Sequence, residues 1–172
     1  MVYKTNVQSL VIRTAGEQDV PLILDFIKRL AAYEKLPDAV TGTVEILHDS
    51  LFVRRAAEVI IGEYRGEPVA FALFFHNFST FQCLPGLYLE DLFVREEFRG
   101  KGIGKAMLAC LAHIAKERNC GRIEWICLDW NENALKVYHD LGAIPMDGWT
   151  IQRMEGKPLN DLSSYFSLEK EK

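Results

Sequence analysis

The chain has 172 residues, of which 49% are hydrophobic and 26% charged, and its formal net charge is −4 at pH 7. This composition is typical of a soluble globular protein with one hydrophobic core, and it excludes a chain dominated by disorder. The net negative charge argues against a general nucleic-acid surface, although a local basic patch is possible at Arg95, Arg99 and Lys101. We predict a single domain over residues 1–172 and no nucleic-acid partner.

The four cysteines and four histidines form no recognisable metal motif. No two cysteines are spaced as C-x-x-C, and no histidine stands at metal-ligand spacing, so we expect reduced thiols and no metal. The N-terminus has no apolar run after its one charge, and no apolar stretch of the chain is long enough to span a bilayer. We therefore expect a cytoplasmic protein that has no membrane partner.

Strand-like and helix-like segments alternate along the first half of the chain. Apolar residues recur at helical spacing after Asp19 and up to Lys35, and β-branched and aromatic runs flank a turn that contains Gly66. The predicted elements are a strand at 9–13, a helix at 19–35, a short helix at 44–52, a hairpin of strands at 59–64 and 69–75, and a loop at 76–86.

The second half continues as a mixed α/β pattern without repeats or linkers. Asn131 is a natural N-cap and Gly142 a natural C′ residue for the helix between them. The predicted elements are a strand at 87–94, a helix at 105–118, a strand at 122–128, a helix from 131 to about 141, a last strand at 147–154, and a turn or short helix at 158–166.

Acidic residues occupy unusual positions in two of these elements. Glu34 falls at the C-terminus of a predicted helix, where the helix dipole opposes a negative charge, although a solvated surface acid is the alternative interpretation. Glu90 and Asp91 are adjacent in an otherwise apolar strand, so their side chains point to opposite faces unless a bulge intervenes. We expect at most one of them to face the chemistry directly. The alternative places both at an exposed strand end.

The segment from Arg99 to Gly104 reads R-G-K-G-I-G and joins a predicted strand to a predicted helix. A glycine-rich turn entering a helix leaves backbone N–H groups free to bind an anion such as a phosphate. The spacing does not fit G-x-G-x-x-G, because Lys105 and Met107 occupy the last position, and it does not fit a Walker loop, because Ala106 follows Lys105. It fits R-x-x-G-x-G. A tight corner without a ligand is the alternative.

Together with other motifs, this turn resembles the pyrophosphate-binding motif of the GNAT superfamily of N-acetyltransferases. The resemblance extends from about Leu10 to Met154, and it is closest to the diamine branch that includes spermidine/spermine and thialysine acetyltransferases. It implies a GNAT α/β fold, with a mixed, mostly antiparallel central sheet, splayed central strands and helices on both faces. The motifs that carry it are Tyr33-Glu34-Lys35, Tyr88-Leu89-Glu90-Asp91, the glycine turn, Asp129-Trp130-Asn131, Tyr138, Leu141-Gly142-Ala143 and Gly148-Trp149.

The resemblance implies that acetyl-CoA is the co-substrate. Backbone groups of Leu92, Phe93 and Val94 would pair with the pantetheine arm as an added strand would, while Asn131 and Asn133 would contact the cofactor from the other side. The pyrophosphate would be held by Arg99, Gly100, Lys101, Gly102, Ile103, Gly104 and Lys105.

The reaction that the resemblance implies is attack by a neutral amine on a thioester. It requires removal of a proton from an ammonium, N–H donors for an oxyanion, and a proton or hydrogen bond for the leaving sulfur. Tyr138, also a cofactor contact, would supply the last of these, and Glu90 would be the base, directly or through water. Without the resemblance, a tyrosine on an amphipathic helix is usually a packing residue.

The resemblance also implies an acceptor pocket of acidic and aromatic residues, which suits a flexible cationic chain. We therefore expect acetyl transfer to a primary amine of a polyamine, a diamine or a thialysine-like amino acid in a ternary complex, by a homodimer. The alternatives are a protein or peptide N-acetyltransferase and a CoA-binding module without catalysis. Two departures from the family pattern are the short connection at 144–146 and Asp147 in place of Glu. The pocket residues are Tyr33, Glu34, Glu90, Asp91, Trp125 and Asp147.

Overall fold

The structure is a computed structural model that describes residues 1–166, and its centre is a six-stranded sheet whose strand order follows the chain. Neighbouring strands are antiparallel up to the fifth, and the fifth and sixth are parallel. The strands are β1 (Val2–Lys4), β2 (Leu10–Thr14), β3 (Glu58–Tyr64), β4 (Glu67–Ser79), β5 (Leu84–Val94) and β6 (Ile123–Glu124).

The helices lie at the positions that the apolar spacing predicts. The second helix of the chain is continued by a π-helical segment, Asp49–Val53. The third helix forms the crossover connection between β5 and β6, which a parallel pair of strands requires. The helices are α1 (Val20–Tyr33), α2 (Val44–His48), α3 (Ile103–Glu117), α4 (Glu132–Asp140) and α5 (Gly156–Ser163).

Two apolar cores lie on opposite faces of the sheet. Ile60 and Ile61 are adjacent in β3, and because strand side chains alternate, the first belongs to one core and the second to the other. Met107 of α3 packs in the core with Ile60, and Phe26 of α1 packs in the core with Ile61, where its ring stacks 5.3 Å from that of Phe71. The predicted fold class, a mostly antiparallel sheet with helices on both faces, is confirmed.

The loop predicted at 76–86 is wrong, because β4 and β5 continue through most of it. Asn77 is opposite Gly86 and Phe78 is opposite Pro85 in an antiparallel register. Proline and glycine usually end a strand, but both are tolerated where a strand borders a turn, and here they lie close to the turn at 80–83. The cross-strand pairing therefore outweighs the local turn signal.

Three further strand predictions need correction. The strand predicted at 122–128 is regular only at Ile123–Glu124, the strand predicted at 147–154 is not formed, and β1 was not predicted at all. A period-two pattern marks residues that can pair, but a strand also requires a partner at the correct distance. The pattern within one segment does not determine that partner.

The described residues form two compact units, Met1–Asn131 and a second that begins at Glu132. The first contains the sheet and α1 to α3, and the second contains α4 and α5. In the second unit, Gly142 has φ of 89° just after α4, and the Ala143 N–H donates to the Tyr138 carbonyl at 3.0 Å. Gly142 is thus the C′ residue that the sequence predicts. One domain over the full chain remains a prediction.

No helix within residues 1–166 is both long enough and apolar enough to cross a membrane.

Candidate active site

Glu90 forms a bulge in β5. Leu73 of β4 is opposite Asp91, and the next residue, Phe74, is opposite Leu89, so Glu90 is the extra residue on β5. A bulge interrupts the strict alternation of faces and brings the side chains of its two residues toward the same side. The bulge is the condition under which the sequence allows Glu90 and Asp91 to face the same side, so strict alternation does not apply to this pair.

The register change is visible in the packing on either side of the bulge. Leu89 and Phe93 would share a face in a regular strand, but Leu89 packs in the core under α3 and Phe93 packs in the core under α1. Asp91 is two residues before Phe93, on the same face, and is half-buried, whereas Glu90 is exposed. The bulge thus turns Asp91 toward the end of α1.

Asp91, Glu90 and Glu34 form an acidic group that we call the acid cluster. Burial, reinforced by the negative charges of Glu90 and Glu34, raises the pKa of Asp91 to about 6. Burial also raises the pKa of Glu34, which lies at the C-cap of α1. Both shifts arise chiefly because a carboxylate loses hydration in this site, which disfavours its charged form. The acid cluster is therefore suited to receive a cation.

Cys127 lies beside the acid cluster. Burial raises the pKa of its thiol, and the charges of Glu34 and Asp129 raise it further. A cysteine nucleophile requires the opposite shift, toward the thiolate. Cys127 is consequently a neutral wall residue. Within residues 1–166, no group of three or more His, Cys, Asp or Glu side chains is arranged to hold a metal ion.

Tyr33 and Trp130 form an aromatic wall next to Glu34. Their ring centroids are 5.8 Å apart, and the Tyr33 hydroxyl donates a hydrogen bond to the Asn131 side-chain oxygen at 3.2 Å. The Lys35 ammonium lies 5.0 Å from the centroid of the Trp130 ring. The sequence prediction did not include Lys35 or Trp130 as site residues, although both lie within the motifs that carry the family resemblance.

The glycine turn has the geometry of an anion site. Gly102, with φ of 78°, is the N-cap of α3, and the helix begins at Ile103, two residues earlier than predicted. No side chain caps the helix, so its first N–H groups point to the turn without an intrahelical acceptor. A positive φ favours glycine, because a side chain at this position would be strained. These features fit a phosphate group.

Arg99 connects the glycine turn to the aromatic wall. Its Nε donates to the Val94 carbonyl at 2.9 Å, and its guanidinium carbon lies 4.4 Å from the centroid of the Tyr33 ring. The Lys101 ammonium donates to the Glu97 carbonyl at 2.9 Å. The turn that precedes α3 therefore carries two cations, and one of them also contacts the aromatic wall.

The last part of β5 has a neighbouring strand on one side only, among the described residues. Leu92, Phe93 and Val94 are opposite residues 70–72 of β4, whereas the register between β5 and β6 includes only Leu87 and Tyr88 of β5. The edge of β5 at 92–94 therefore has no paired strand on its second side among the described residues. It runs from the acid cluster toward the glycine turn, and an edge of this kind can pair with an added strand-like ligand.

Residues 26–143 match the acetyltransferase (GNAT) family. The chain belongs to this family. It is an N-acetyltransferase, and the predicted resemblance is confirmed. The thialysine N-epsilon-acetyltransferase of Bos taurus is 34% identical over 168 residues, covering 90% of this chain and 97% of the relative. The L-ornithine N5-acetyltransferase of Arabidopsis thaliana is 30% identical over 194 residues, covering 86% of this chain and 85% of the relative.

A solved structure of a V. cholerae integron cassette protein has a TM-score of 0.75 and 28% sequence identity, covering 91% of the acetyltransferase chain and 98% of its own.

The other predicted site residues of the acetyltransferase lie outside this constellation or in the second unit. Trp125 packs against the core under α3, whereas Tyr33 packs against the core under α1. The place of Trp125 in the acceptor pocket therefore remains a prediction. Asn133 and Tyr138 lie on α4, with Tyr138 half-buried, and Asp147 lies in an exposed turn of the second unit. Their roles likewise remain predictions.

Proposed function

We propose that this N-acetyltransferase transfers the acetyl group of acetyl-CoA to a primary amine of a small cationic acceptor, by direct attack in a ternary complex. The observation that supports it most strongly is the acid cluster, in which Asp91 has a pKa of about 6 beside Glu34 and Glu90. Relatives named for thialysine and ornithine acetylation support a small amine as the acceptor. A homodimer, which the family resemblance implies, and a cytoplasmic location, which the sequence alone suggests, remain predictions.

The residues that would hold acetyl-CoA fit its chemistry. Free N–H groups at the start of α3, with Arg99 and Lys101 beside them, suit the pyrophosphate, and the open edge at 92–94 suits the amide groups of pantetheine. Asn131 and Asn133 complete the proposed set. When bound, acetyl-CoA supplies a thioester as the acyl donor.

The acid cluster has two tasks in this proposal. Its negative charge attracts the acceptor ammonium, and one carboxylate accepts the proton that the amine must lose before it can attack. Glu90 is the base that the sequence predicts. The half-buried Asp91 is better matched, because a proton acceptor works best when its pKa lies close to the working pH. We therefore assign acceptance of the amine proton to Asp91, and the first contact with the acceptor ammonium to Glu90.

Tyr138 is the proposed proton donor to the departing sulfur. A phenol with an ordinary pKa near 10 is a competent donor to a thiolate. Tyr138 occupies the last turn of α4, where its carbonyl accepts the N–H of Leu141 at 3.1 Å and of Ala143 at 3.0 Å. These backbone bonds fix the main chain from which its side chain extends.

An acceptor panel tests the proposed function. Acetyl-CoA-dependent thiol release should be measured with thialysine, lysine, ornithine, spermidine, spermine and a short peptide, with a reaction lacking acceptor as the control. We expect a clear preference for a small amine. A preference for the peptide would assign the enzyme to protein modification, and no release with any acceptor while acetyl-CoA still binds would contradict the proposal.

Replacing Gly102 with alanine should weaken acetyl-CoA binding about 10-fold, because a shifted N-cap costs roughly one charge-assisted backbone hydrogen bond. The added Cβ would lie 3.6 Å from Val7 Cγ2, an ordinary contact, so the backbone conformation is the cause. Gly66→Ala is the matched control, since Gly66 has φ of 82° and open space around its Cβ. Calorimetry should show a reduced affinity for acetyl-CoA in Gly102→Ala only. Equal affinities in the two variants would contradict the assignment of the glycine turn as the pyrophosphate site.

A further inference from the structure

Lys35 places a positive charge at the border of the acid cluster. Its ammonium lies 5.0 Å from the centroid of the Trp130 ring, and Trp130 in turn contacts Tyr33. The residue before Lys35 is Glu34, a member of the acid cluster. A cation at this distance from a tryptophan face is held by a cation–π interaction. The aromatic wall therefore holds a cation at the residue that follows Glu34.

The backbone also fixes this position. Lys35 has φ of 63°, and it follows the C-cap of α1, where the N–H of Leu36 donates to the Ala31 carbonyl at 2.8 Å and the N–H of Lys35 to the Ala32 carbonyl at 3.1 Å. This is a Schellman motif, in which glycine is the usual residue at the left-handed position. Lysine is found there instead, so the direction of its side chain is set by a closed, hydrogen-bonded turn.

Carboxylates in the acid cluster and a cation on the aromatic wall select for an acceptor that carries both charges. The acid cluster attracts the ammonium that reacts, but a second ammonium at the far end of the acceptor would be repelled by Lys35. A carboxylate at the far end would instead be attracted by Lys35. Aromatic rings alone would bind either end group and would not distinguish them.

We propose that Lys35 is a specificity-determining residue that selects α-amino acids with a terminal amine over diamines and polyamines. This inference rests on the proposed function. The terminal ammonium lies at Glu34, Glu90 and Asp91, and the α-carboxylate pairs with the Lys35 ammonium. Lys35 acts on binding and has no part in proton transfer. Its effect therefore falls on KM and leaves kcat nearly unchanged.

The test uses acceptors that differ only in the carboxylate. Ornithine is compared with 1,4-diaminobutane and lysine with 1,5-diaminopentane, and kcat and KM are measured at fixed acetyl-CoA. We expect the wild-type enzyme to favour the amino acid of each pair. Lys35→Gln should reduce this preference about 5- to 20-fold through KM, the range for one partly screened charge pair. Lys35→Arg, which keeps the charge, should retain most of it.

Lys28→Gln is the matched control, because Lys28 is an exposed residue of α1, the helix that Lys35 follows. It should leave the preference unchanged. A preference that survives Lys35→Gln, or a wild-type enzyme that favours the diamines, would overturn the role of Lys35 and leave the proposed acetyltransferase function intact. If the wild-type enzyme acetylates none of the four compounds and no other small amine, the proposed function fails and the role of Lys35 fails with it.

Discussion

Replacing Tyr138 with phenylalanine should lower kcat about 10²- to 10³-fold, with acetyl-CoA affinity within about twofold of wild type. The physical reason is that the leaving thiolate loses its proton donor, while the ring that fills the site is kept. A half-buried tyrosine on a short helix can also be a packing residue. The two roles differ in their effects, because a packing residue loses little when only its hydroxyl is removed.

The measurement is steady-state turnover together with calorimetric binding of acetyl-CoA and a thermal unfolding curve. Tyr165→Phe is the matched control, since Tyr165 belongs to the same unit and is 91% exposed. It should have no effect on any of the three readouts. Wild-type turnover in the Tyr138 variant would remove this residue as the acid, and a lower unfolding temperature without a loss of kcat would assign it to packing.

The features that sequence reasoning identified are those fixed by local backbone requirements. The glycine turn is the clearest case, because the positive φ of Gly102 and the uncapped start of α3 depend on residues within a few positions. The C′ role of Gly142 is another. Helices α1 and α3 also follow from apolar spacing, because each covers one face of the sheet. Such signals are contained in a single segment.

The features that it missed depend on partners distant in the sequence. The bulge at Glu90 exists only relative to the register of β4, and the proximity of Glu34 to Asp91 exists only because α1 packs on the face that contains Phe93. Pairing with β2 likewise makes β1 a strand, despite its three-residue length. The family resemblance supplied the site residues individually, whereas the acid cluster and its raised pKa values required the packed structure.

Replacing Asp91 with asparagine should lower kcat/KM about 10²-fold at pH 7.5 and remove an acidic limb from the pH profile. The proposed base acts as a carboxylate, and its pKa is raised to about 6, chiefly by burial and then by Glu90 and Glu34. Wild-type kcat/KM should therefore fall as the pH drops through about 6. Glu90→Gln should weaken acceptor binding but keep the limb. If the limb disappears in Glu90→Gln and survives in Asp91→Asn, the base is Glu90.

The same substitution should increase stability, because a raised pKa means that the folded state disfavours the charged carboxylate. The folded protein binds the Asp91 proton more tightly than the unfolded chain does, so this group's contribution to stability decreases as the pH rises from about 3.8 to about 6. The shift corresponds to at most about 3 kcal/mol, and partial solvent access reduces the expected gain at pH 7 to about 1–2 kcal/mol. At pH below about 3.8 the gain should vanish, because the wild-type carboxyl is then protonated in both states.

Urea unfolding at pH 4 and pH 7 measures this gain, and Asp25→Asn is the control. Asp25 forms an exposed ion pair with Arg29 at 2.7 Å on α1, so its loss should change stability by less than about 0.5 kcal/mol. A variant that loses activity and gains stability at neutral pH would identify Asp91 as a residue whose unfavourable burial serves the reaction. Equal destabilisation at both pH values would instead contradict the raised pKa and indicate a structural carboxylate that stays charged even at pH 4.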